Sequence, residues 1–158
     1  MKAVTVKEIE KELIERSPKE LRDLCLRLSR FKKENKELLT YLLFEAADEE
    51  AYVGSVKKEI DEQFKLVNRK TNYLIKKGLR KILKNIRKYN RYSQNKKTEV
   101  DLLIYFCVKL KKFSPAVFRN TSLLNLYNGQ LEAIRKKVSA LHEELQFDYE
   151  AELEALEG

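Results

Sequence analysis

The chain has 158 residues, 43% of them apolar, with 33 Lys/Arg against 25 Asp/Glu and a formal net charge of +8. That apolar share is too large for a disordered chain, and the length suffices for a core without disulfide or metal staples. Four Gly and two Pro are too few for the turns of a sandwich or barrel, so an all-α fold is expected.

The first helix carries Val6, Ile9 and Leu13 on one face and ends near Arg16. "SPKEL" at 17–21 opens the second. Ser17 and Glu20 form a capping box and Pro18 takes the first helical position, where its missing N–H does no harm. Leu21, Leu24, Cys25, Leu28 and Phe31 follow at helical spacing. "KKENKE" at 32–37 has no apolar member. Either a turn lies there, with Asn35 capping a third helix, or the second helix runs through. The apolar segment "LLTYLLFEAA" comes next. Asp48 reads as the cap of a helix carrying Val53, Val56, Ile60 and Phe64, with Glu49 and Glu50 favoured by the dipole at its start.

The opening, "KEIEKELIERSPKELRDLCLRLSRFKKENKELLTYL", resembles the N-terminal part of small all-helical bacterial proteins of unknown function, over about the first 45 residues. The resemblance implies helices and a bacterial source. It brings no activity and no site residue.

A basic helix is predicted from about Arg69 to Tyr92, closed by "SQNKKT". Thr98 with Asp101 reads as the capping box of the next helix, whose middle, Leu102 to Val108, is apolar on all sides and so predicted to be buried. "SPAVF" at 114–118 is another break. A last long helix starts near Thr121 or Ser122. Tyr127, Leu131, Ile134, Val138, Leu141 and Leu145 recur along it at heptad-like spacing. They serve either packing on the chain's own core or a coiled-coil seam for a homodimer over 127–145. The expectation is six to eight helices in an antiparallel bundle or a short α-solenoid of helix pairs. One helical domain is expected over 1–142, followed by an acidic helical tail at 143–158. No segment is apolar enough to span a membrane and no secretory leader is visible, so the protein is expected in the cytoplasm.

The chemistry of an enzyme is sparsely represented. His142 is the single histidine, Cys25 and Cys107 stand alone, and no glycine loop cradles a phosphate. Neither metal nor cofactor is expected, and no catalytic residue is assigned.

Charge is the informative feature. Residues 57–112 carry net +13, while 1–56 and 113–158 carry −1 and −4. At 100° per residue, Lys76, Lys77, Arg80, Lys81, Lys84, Arg87, Lys88 and Arg91 share one arc of about 140°, with Ile75, Leu79, Ile82, Leu83, Ile86 and Tyr89 opposite. Like charges at i,i+4 repel by a few tenths of a kcal/mol per pair, so an anionic surface is expected to face this arc. Nucleic acid is the leading candidate, bound through residues 69–97. Arg69, Lys70, the eight cations of the arc, Tyr73 and Tyr92 are the candidate contacts, the tyrosines as stacking platforms. The alternatives are an acidic protein surface, an anionic membrane surface, or the chain's own tail at 143–157. That tail has seven acids and no base and would mask the stripe.

Overall fold

The computed structural model describes residues 1–113 and 115–158, except the side chains of Ala116 and Val117. Among them are eight α-helices and no strand: α1 (Val6–Ile14), α2 (Pro18–Phe31), α3 (Lys33–Thr40), α4 (Glu49–Lys65), α5 (Asn72–Ser93), α6 (Lys96–Phe113), α7 (Thr121–Val138) and α8 (Glu143–Glu157). The all-α reading holds. The break read at 114–118 begins at Ser114, outside the described residues, and Pro115–Arg119 form a short 3-10 helix.

Two compact units divide the chain, Met1–Phe44 and Glu45–Gly158. The division differs from the expected boundary at 142/143, because α8 packs on α6 and α7 within the second unit instead of forming a tail.

In the first unit, local chemistry fixes the helix ends. Thr5 and Glu8 form one capping box and Ser17 and Glu20 another. Lys32 is extended (φ −141°, ψ 148°), so the 32–37 break is a single residue. Asn35 does not cap α3: its side-chain amide donates to the Leu28 carbonyl at 2.8 Å, closing the end of α2. A π-helical turn, Tyr41–Glu45, follows α3.

The second unit is built around α6. Leu102, Phe106 and Leu110 are fully buried, as its apolar middle predicted; burial of each stabilises by ~1.5–3 kcal/mol. Helices α4, α5, α7 and α8 all pack against it. Tyr52 near the start of α4 donates to the Tyr89 carbonyl near the end of α5, so these two helices run antiparallel. Lys137 at the end of α7 pairs with Glu99 at the start of α6 at 2.9 Å, which orients α7 against α6 in the same way.

Two sequence expectations are corrected here. Helix α6 starts at Lys96, and Asn95 caps it by accepting from Thr98 N at 3.1 Å. Thr98 is buried and spends its hydroxyl on Glu49 at 2.6 Å instead. The heptad run from Tyr127 does not stay on one helix either. Helix α7 ends at Val138, Leu141 lies in the link, and Leu145 belongs to α8. Tyr127, Leu131, Ile134 and Val138 are buried within this chain, so the proposed dimer seam is already occupied by its own core.

Candidate anion-binding surface

Helix α5 is positioned by its ends and its dry face. It begins later than expected, at Asn72, because the Thr71 side chain caps it by accepting from Leu74 N at 3.1 Å. It stops at Gln94, whose left-handed backbone (φ 53°) lets its N–H close on the Asn90 carbonyl at 2.8 Å. Ile75, Leu79, Ile82, Leu83 and Ile86 are buried against α4 and α6. Gly78 brings the α4–α5 connection close: a Cβ there would meet the Val67 methyls at 3.0 and 3.1 Å.

With that face fixed, the opposite face points outward. Lys77, Arg80, Lys81, Lys84, Arg87 and Arg91 are exposed, while Lys76 and Lys88 are half-buried. Among the described residues, no acid lies within ion-pairing distance of those six. Some other cations of the unit are matched: Lys109 with Asp61 at 2.7 Å, Lys97 with Asp101 at 2.9 Å, and Arg135 with Glu157. Over α5 a rise of 1.5 Å per residue spreads the cations from Lys76 to Arg91 along about 22 Å.

The remaining candidate residues fare differently. Tyr73 is 75% exposed on the first turn of α5, inside the positive arc. Tyr92 is buried and set edge-on to Tyr89 with ring centroids 6.1 Å apart, so it is no stacking platform. Its place at the margin of the arc leaves it close enough to the dry face to be drawn in. Arg69 and Lys70 precede the helix and are exposed. Arg69 is held over the Phe113 ring at 3.8 Å and donates to the Phe113 carbonyl at 3.3 Å, a charged cap on the last turn of α6. Lys76 donates to the Ser122 hydroxyl on the first turn of α7. Lys97 is drawn away from any anion by its own acid, Asp101.

Sequence reasoning missed the extension of this surface past Arg69. A groove of about 380 Å³ at the C-terminal ends of α4 and α6 is lined by Lys58, Lys65, Arg69, Lys109 and Lys112, with Asp61 and Glu62. These cations come from three separate segments, so no single window displays them. Asp61 is partly desolvated, which by itself would raise its pKa. Hydrogen bonds from Lys109 and Tyr105 outweigh this and hold it below the usual carboxylate range. Lys109 is raised in return, chiefly by its hydrogen bond to Asp61.

No ion pair joins α8 to the α5 stripe among the described residues. The tail buries Tyr149, Leu153 and Leu156, and its ion pair runs from Glu157 to Arg135 on α7. Compared with protein families, curated proteins and solved structures, the chain matches none. The function therefore rests on geometry alone.

A second groove, of about 890 Å³, runs between α4, α6 and α8. Two of its four acids are engaged: Glu49 accepts from Ser93 and Thr98, and Asp101 accepts from Tyr149 and Lys97. Among the described residues no group of three or more His, Cys, Asp or Glu is placed to hold a metal ion. His142 caps α8, its Nδ1 accepting from Glu144 N at 3.4 Å. No helix among the described residues is long and apolar enough to cross a membrane.

Proposed function

We propose that the protein is a non-enzymatic binder of nucleic acid, RNA or DNA, acting through the outer face of α5. One observation carries this reading: six exposed cations on one helix face with no acid within ion-pairing distance among the described residues, whereas Lys65, Lys97, Lys109, Arg135 and Lys137 of the same unit each hold an acid. A polyanion neutralises such a row and releases its condensed counterions. Exposed Tyr73 at one end adds a platform on which an unpaired base can stack. The short loops on either side and the buried dry face mean that the backbone carrying the row needs no ordering on binding.

The test is fluorescence anisotropy with single- and double-stranded oligonucleotides of mixed sequence at several salt concentrations. Engagement of four or five phosphates gives a slope of log K against log salt of roughly −3.6 to −4.5 on duplex, and shallower on single strands. Replacing Lys77, Arg80, Lys84 and Arg87 together by Gln should weaken binding uniformly across sequences and flatten the slope by roughly 0.9 for each contact removed. An affinity that does not change with salt, or a quadruple variant that binds as tightly as wild type, overturns the reading. An acidic protein surface would engage the same cations; binding to acidic polypeptide but not to oligonucleotide decides for that partner.

A further inference from the structure

Of the apolar side chains in the first unit, Tyr41 alone is buried. No residue of α1, α2 or α3 is buried. Of the 17 large apolar residues exposed among the described residues, 14 lie in the first 44 positions. Helices α1 and α2 nonetheless start in capping boxes and are amphipathic. Helices of nine and fourteen residues are too short to persist in water without packing an apolar face. Exposed apolar surface on this scale marks an interface.

Its shape and charge decide the occupant. Helices α1 and α2 together line a groove of about 870 Å³, with Ile9, Leu13 and Leu24 as its apolar floor. The rim carries both signs: Glu8, Glu12, Glu20 and Asp23 against Lys11, Arg16 and Arg27. An anionic lipid surface or a nucleic acid would call for cations alone, and four acids on the rim oppose both. A rim with both signs fits a surface built like itself. Helix α1 is also a suitable guest, since Val6, Ile9 and Leu13 form one stripe bordered by Glu10 and Glu12. We infer that the α1–α2 unit is a homodimer interface, in which each copy supplies both the groove and the helix that fills the other's groove. A two-fold axis closes such a contact, so two copies complete it and a fibre does not form. The four helices then share one apolar seam, with Lys11 opposite the acids of the partner's α2 and Glu8 and Glu12 opposite its bases.

The test uses the full chain. Sedimentation equilibrium over a range of concentrations should show a reversible monomer–dimer exchange. Leu24→Glu and Leu13→Glu, made separately, should each raise the dissociation constant at least about tenfold, with unchanged circular dichroism. Both positions are already partly exposed, so the second unit's core is untouched. A second measurement does not depend on those variants. Cys25 is exposed and Cys107 buried, so a thiol-reactive spin label marks α2 alone. A dipolar coupling between labels on two copies is expected, and it should vanish on dilution with unlabelled protein. A strictly monomeric wild type overturns the inference, even if residues 6–40 resist hydrogen exchange, because the face would then close on its own chain. A dimer that ignores both substitutions and shows no coupling between labels also overturns it.

Discussion

Gln94 has a backbone conformation that L side chains adopt at a cost, and it is the only described non-glycine residue with positive φ. The position is a helix C-cap, where glycine removes the clash between Cβ and carbonyl. Gln94→Gly should stabilise the protein by ~0.5–1 kcal/mol in urea denaturation, against the ordinary expectation for glycine. Gly78 is the opposite case. A methyl there gains up to ~1 kcal/mol of helix propensity but must push back the Val67 methyls, and overpacking costs ~1–3 kcal/mol. Gly78→Ala should therefore destabilise the wild type by about 1 kcal/mol. In a Val67→Ala background the same change should stabilise, and denaturation midpoints of the four proteins test that reversal of sign. The two tyrosines of the stripe make a related point. Tyr73 and Tyr92 are the same residue type at the ends of one helix, but one is exposed and the other packs on Tyr89.

At the scale of elements, α8 is the informative case. Its composition reads as a solvated acidic tail, but three residues anchor it. Leu153 and Leu156 are buried, and the Tyr149 hydroxyl donates to Asp101 on α6. From α7, the Tyr127 hydroxyl donates to the Leu156 carbonyl at 2.7 Å. Burial pushes the Tyr127 phenol up to about 12, and burial together with Asp101 raises Tyr149 as well. Both folded values lie above the ordinary tyrosine value near 10, so the fold favours the neutral phenols. Their stabilisation is complete below about pH 10 and falls as pH rises above it, that of Tyr127 through about 12. Alkaline titration should release α8 first, seen as loss of amide protection in residues 143–157 before loss of protection in α6. Tyr149→Phe removes one donor, so it should cost ~1–2 kcal/mol at neutral pH and make this release less dependent on pH.

For the whole molecule, the two units face opposite demands. The second has a core around α6 and presents a charged face that needs no partner to stay folded. The first has helices without a core of its own. Amide exchange in residues 6–40 should therefore slow as protein concentration rises, whereas exchange in α6 should not. Mass spectrometry of exchange at two concentrations checks this, and exchange in 6–40 that ignores concentration would count against assembly through α1 and α2. Binding to nucleic acid should follow the second unit's charge, so Leu24→Glu should leave the affinity per chain for a short oligonucleotide unchanged.

The sequence by itself determined what is local. The Ser17 capping box, Pro18, the Asp48 cap, the start of α7 and the dry and basic faces of α5 all follow from interactions within a few residues or from helical periodicity. So does the burial of α6, because a helix apolar on all sides has no other place to go. The tertiary structure decided which of two equally good local options was taken. Thr98 yielded the cap to Asn95 because Glu49, 49 residues away in the chain, takes its hydroxyl. The heptad of α7 was consumed by α6 and α8 because intrachain partners were nearer than a second copy. The acids of α8 did not reach the stripe because Tyr149, Leu153 and Leu156 bind the helix elsewhere. Long-range pairing sets these outcomes, and periodicity along one segment contains no information about the segment it will meet.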